Sequence, residues 1–93
     1  MKVNMGRPKS NYKIGFCPGF DVFKPEDCVC TTIVEITREE IESLRLKNIK
    51  NLDQTVAAKK MGVSQSTFQR ILAGAYKKVS LAIIEGSELR ILK

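Results

Sequence analysis

Two helix-starting residues stand close together with a glycine between them, and this spacing constrains the chain more than any other feature. Asp53 and Ser64 are both good N-caps, because their side-chain oxygens accept the unpaired amides of a first helical turn. Gly62, just before Ser64, suits the left-handed conformation that ends a helix. The stretch from Gln54 through Val56, Ala57, Ala58 and Met61 is therefore expected to be a short helix that stops at Gly62. A second helix must start at once after Ser64. Its apolar positions, Phe68, Ile71, Leu72, Ala75, Val79, Ala82 and Ile83, keep a three-four spacing until Gly86 stops it. Gly74 interrupts that helix at a cost of about 1 kcal/mol relative to alanine.

A third helix precedes this pair. Thr37-Arg38-Glu39-Glu40 fits a capping box, in which the threonine hydroxyl takes the amide of Glu40 and the glutamate reaches back to Thr37. Ile41 and Leu44 share one face, and the helix is expected to fade near Lys47–Ile49. Thr31–Ile36 is rich in β-branched residues and reads as a strand; residues 88–92, Glu-Leu-Arg-Ile-Leu, read as another. Pairing of 32–36 with this last strand would clamp the two ends of the helical unit. Residues 14–30 hold Gly15, Pro18, Gly19, Pro25 and all three cysteines, and read as an irregular loop. The expected fold is mainly α: a three-helix helix-turn-helix core over 37–83, a short two-stranded β-ribbon and an irregular N-terminal loop.

The chain has 93 residues, enough for one domain with a thin core. Residues 1–13 read as a flexible basic arm and 14–93 as the domain. Apolar residues make up 43% and charged residues 28%, which excludes wholesale disorder. No apolar run approaches the ~20 residues needed to span a bilayer, and the N-terminus lacks the apolar centre of a secretory signal. A cytoplasmic location with no membrane partner is expected. With no histidine, histidine-dependent catalysis is excluded. No nucleophile–base pair and no phosphate loop stand out, so the chain is not expected to be an enzyme.

The net charge of +6 is unevenly placed. Lys2, Arg7, Lys9 and Lys13 open the chain with no acid among them. An acidic stretch, Asp21 to Glu42, follows. From Arg45 to Lys78 the bases return against Asp53 alone. Two basic segments split by an acidic one suit a polyanionic partner.

Within 54–73 the residue types match a helix-turn-helix, which places its second helix in the major groove of DNA. Ala57 and Ala58 provide the small crossing contact, and Met61, Val63, Phe68 and Ile71 the apolar offsets around Gly62. The second helix keeps a polar outer face. Gln65, Ser66, Thr67 and Gln69 are the expected base readers, since glutamine pairs with adenine and hydroxyls with several edges. Arg70, Lys77 and Lys78 are expected to meet phosphate, with Ser64 offering its helix-start amides. Arg7 and Lys9 of the arm are expected to add phosphate contacts; insertion of Arg7 into a narrow minor groove is the alternative. One short recognition helix reads few bases, so a homodimer is expected. Its interface would be the ribbon edge or Leu72, Tyr76, Val79 and Ile83 on the long helix.

Cys17, Cys28 and Cys30 lie close together in the loop. The expectation is plain thiols and no cofactor. A zinc or iron–sulfur site is the alternative reading, with Asp21, Glu26, Asp27 or a second subunit completing the ligand set.

Thr37-Arg-Glu-Glu-Ile-Glu-Ser-Leu-Arg-Leu, Asn51-Leu-Asp-Gln, Ala57-Ala-Lys-Lys-Met-Gly-Val-Ser64 and Thr67-Phe-Gln-Arg-Ile-Leu72 resemble the helix-turn-helix of sigma-factor region four. They are still more similar to a family of small bacterial and archaeal proteins predicted to bind DNA with that module. Arg7-Pro8-Lys9, Phe23-Lys24-Pro25 and the stretch from Lys77-Lys78 through Glu85-Gly86 to Leu89-Arg90-Ile91 extend the similarity over nearly the whole chain. Gln65-Ser66 departs from the Arg-Pro expected at that place. The resemblance implies a DNA-binding transcription regulator. Its alternative is a sigma-region-like interaction module that contacts RNA polymerase; a cysteine-based metal or redox switch on a DNA-binding fold is the other.

Overall fold

Thr37 opens the first helix as its residue type dictates. Its hydroxyl accepts the Glu40 amide at 3.2 Å, and Glu40 Oε1 accepts the Thr37 amide at 2.9 Å, so the capping box is complete. The computed structural model describes residues 13–15, 19–26 and 32–92. Among them α1 spans Arg38–Leu44 and passes without a break into a wider π-helical segment, Arg45–Ile49. The winding widens at Arg45, and the helical run ends at Ile49, where the sequence leads one to expect it to fade. Asn51, in the left-handed region at φ 56°, turns the chain toward the next helix, as short polar side chains permit.

Helix α2 spans Gln54–Met61 and α3 spans Gln65–Glu85. Asp53 Oδ1 accepts the Val56 amide at 3.0 Å, and Ser64 Oγ accepts the Thr67 amide at 3.2 Å. Gly62 and Gly86 take φ of 73° and 68° and end the two helices. At Gly62 two amides turn back: its own to Lys59 O at 3.1 Å and that of Val63 to Ala58 O at 3.0 Å. The long helix runs to Glu85 and stops at Gly86, as the sequence leads one to expect.

The expected two-stranded ribbon is corrected to a three-stranded sheet in the order β1-β3-β2. Strand β2, Ile33–Ile36, pairs parallel with β3, Glu88–Ile91, in the register Ile36↔Ile91. The expected clamp between the two ends of the helical unit is therefore present. A parallel pair needs a long crossover, and the helices supply it. Strand β1, Val22–Phe23, comes from the stretch read as irregular loop and pairs antiparallel with the other edge of β3. Lying in the middle, β3 has both edges occupied: the Leu92 amide reaches Ile36 O and the Ile91 amide reaches Asp21 O, each at 2.8 Å.

Two apolar clusters hold the layers together. Leu46, Ala57, Ala58, Met61, Phe68 and Leu72 seal α2 and the π segment onto the first half of α3. Ile36, Ala75 and Ile91 seal the sheet onto its middle. Leu44 packs against both clusters and joins them. At roughly 25 cal/mol per Å² of apolar surface removed from water, these side chains are the main source of stability. Leu72, expected as one face of a dimer interface, is in this core and is unavailable to a partner.

Candidate nucleic-acid interface

The α2–Gly62–α3 unit is built from small and apolar residues at the crossing. Ala57, Ala58, Met61 and Phe68 are buried there, with Val63 and Ile71 packed against them. A left-handed turn at Gly62 leaves room for only Val63 and Ser64 before α3 begins, which fixes the angle between the helices. The segment 13–15 braces the turn. The Lys13 amide donates to Met61 O at 3.1 Å, and its aliphatic carbons lie close enough to meet a Cβ placed on Gly62 at 3.8 Å.

The burial of Phe68, Leu72 and Ala75 determines which side of α3 faces solvent. Gln65, Ser66, Gln69 and Arg70 are exposed on the outer side of its first turns. Thr67, grouped with them in the sequence reading, is half-buried and serves the cap: its hydroxyl accepts from Ser64 Oγ at 3.0 Å and from Arg70 Nη2 at 3.5 Å. Ser64 is exposed and holds the N-terminus of α3. Lys77 is exposed further along the helix. Lys78 turns inward, and its Nζ donates to Glu40 Oε1 at 2.8 Å. Arg7, Lys9, Cys17, Cys28 and Cys30 lie outside the described residues.

Three residues that the sequence reading passed over, Gln54, Thr55 and Lys59, complete this face. Gln54, the first residue of α2, accepts a hydrogen bond at its Oε1 from Gln69 Nε2 at 2.7 Å. Thr55 Oγ1 donates to Gln65 Oε1 at 3.5 Å. Lys59 is exposed in the last turn of α2, beside the bend into α3, whereas the neighbouring Lys60 lines a hollow with Lys13, Gly15, Glu42 and Arg45. The available signal was a pair of polar side chains directly after the Asp53 cap, where the first helix of such a unit comes nearest its partner's outer face.

Behind the unit, Glu42 is a buried carboxylate with three donors. Arg45 Nε and Nη2 reach its two oxygens at 2.9 Å each, and the Gly15 amide reaches Oε2 at 3.1 Å. The Glu42 hydrogen bonds hold the Arg45 guanidinium above the ordinary arginine range, against the opposing pull of desolvation. This fork ties the segment bracing Gly62 to α1.

Among the described residues, no group of three His, Cys, Asp or Glu side chains is placed to hold a metal ion. Among them also, no helix is long and apolar enough to cross a membrane.

Comparison with known proteins places the chain. A relative from Desulforudis audaxviator (strain MP104C), called UPF0251 protein, is 40% identical over 89 residues, covering 94% of this chain and 58% of the relative. Another of that name from Halothermothrix orenii is 41% identical over 88 residues, covering 92% and 65%. A third, from Shewanella baltica (strain OS155), is 39% identical over 89 residues, covering 94% and 91%. The chain thus spans less than two thirds of the first two relatives and most of the third. No solved structure matches it. Residues 1–93 match the family described as "Protein of unknown function DUF134", and the chain belongs to that family of UPF0251 proteins.

Proposed function

We propose that the chain binds double-stranded DNA sequence-specifically through the major groove and acts as a transcription regulator. The observation that carries this reading is the exposed polar face Gln65, Ser66, Gln69 and Arg70 on the second helix of a tightly turned pair. These side chains have the donors and acceptors that base edges require. Lys59 and Lys77 are exposed on the same two helices and supply the charge for phosphate. The resemblance to sigma-factor region four points the same way. Binding sets two copies on adjacent half-sites, with Tyr76, Val79 and Ile83 as the surface between them. We assign no chemical step and no cofactor to the chain, and place it in the cytoplasm.

The second reading is an interaction module that contacts RNA polymerase. It draws on Ile83 and Ile84, which are 73% and 82% exposed near the end of α3. Selection of bound duplexes from a random pool separates the two. The DNA-reading proposal expects an enriched sequence motif, altered in Gln65→Ala or Gln69→Ala. A pool that stays random after repeated rounds overturns it in favour of the second reading.

A further inference from the structure

We propose that Gln54 and Gln69 work as one adenine-reading unit, in which Gln69 touches the base and Gln54 is the residue that positions it. The inference rests on the DNA-binding reading above and names the base and the second residue. Gln69 Nε2 donates to Gln54 Oε1 at 2.7 Å, across the two helices of the unit. An exposed glutamine ordinarily samples many rotamers, and ordering it on a base has an entropic cost. Here Gln54, at the start of a helix whose N-terminus Asp53 caps, holds the Gln69 amide in place before any DNA arrives.

The bond also decides what Gln69 can read. A carboxamide has two N–H donors and one oxygen acceptor. One N–H is committed to Gln54, so one donor and one acceptor remain. Adenine presents an acceptor at N7 beside a donor at N6, which matches both. Guanine offers two acceptors, N7 and O6, and would set O6 against the Gln69 oxygen. Cytosine offers a lone donor, and thymine an acceptor beside a methyl group. Gln65 is the weaker candidate for this role, because its own oxygen is the atom that Thr55 approaches, at 3.5 Å.

The test uses the full chain and a duplex selected by it, with each adenine replaced in turn by 7-deazaadenine, which lacks the N7 acceptor. Fluorescence anisotropy gives the affinities, and thermal melts confirm that the variants fold. The wild type is expected to lose about tenfold at one adenine, within the range for a good bidentate contact. Gln69→Ala should abolish that loss. Gln54→Ala should shrink it at the same adenine and leave the other positions unchanged, and the double variant should bind no worse than Gln69→Ala. A selective wild type whose response to 7-deazaadenine is unmoved by Gln69→Ala, or survives intact in Gln54→Ala, overturns the unit and leaves DNA reading standing. A wild type that binds selected and scrambled duplexes equally overturns both.

Discussion

Lys78 on α3 donates to Glu40 on α1 at 2.8 Å, and the oxygen it meets is the one that accepts the Thr37 amide at 2.9 Å. One carboxylate therefore caps a helix and fastens it to its neighbour. This explains Gly74, one turn before Lys78. A Cβ at that position would lie 2.8 Å from Glu40 Oε2.

Gly74→Ala should accordingly fail to stabilise the protein, although alanine is about 1 kcal/mol the better helix former. The pinned carboxylate would have to leave its two donors. In a Glu40→Ala background the same substitution should recover most of that gain. Urea unfolding of the four chains measures the cycle. A full gain from Gly74→Ala alone would mean that Glu40 moves aside freely.

The adjacent lysines should separate in function. Lys77 is exposed, and Lys77→Ala should weaken DNA binding and reduce the slope of log affinity against log salt by about 1. Lys78→Ala should instead lower stability by about 0.5 kcal/mol, a value discounted for a lysine about a third exposed. Its salt slope should stay near that of the wild type. The reverse pattern would place Lys78 on DNA and Lys77 outside the contact.

Glu42 should matter more to stability than any exposed charge. It is buried and accepts from Arg45 twice and from Gly15. Glu42→Ala should destabilise the protein by about 2 kcal/mol, because it removes a buried charged acceptor from Arg45, whose own side chain is partly open to water, and from the Gly15 amide. The raised pKa of Arg45 adds stability that is fully present below the ordinary arginine range and lost only above it. The fork should therefore give no pH dependence between neutral pH and mild alkali. Denaturation midpoints of wild type and variant at two pH values test both statements.

Gly62→Ala should cost about 1 kcal/mol, from forcing a Cβ into a left-handed turn at φ 73°. Because that turn sets the angle between α2 and α3, the variant should also lose DNA affinity beyond its loss of stability. Retained affinity at temperatures where the variant is fully folded would show that the angle is not critical.

What could be read in advance was local chemistry. Thr37, Asp53 and Ser64 act as caps, and Gly62 and Gly86 as stops, because each needs only its immediate neighbours. The features that escaped depend on residues far along the chain. Strand β1 is two residues long and exists only because β3 offers a free edge nearly seventy residues later, with Val22 opposite Arg90. Leu72 and Ile83 belong to one apolar stripe in sequence, yet the first is core and the second surface, since α2 and the π segment close over α3 at Leu72 and Ile83 lies beyond them. The Gln54–Gln69 bond and the Lys78–Glu40 bond likewise join separate elements. Of the candidate face, its helix and its polar outer side were visible; its cross-helix partners were not.

Sequence reading by this face is open to direct measurement by fluorescence anisotropy. Affinity for a pool-selected duplex is compared with affinity for its scramble across a salt series. The selected duplex should bind about 10³-fold more tightly at physiological salt if this face reads sequence. Equal affinity for both duplexes, falling steeply with salt, would mean phosphate contact alone and would contradict it.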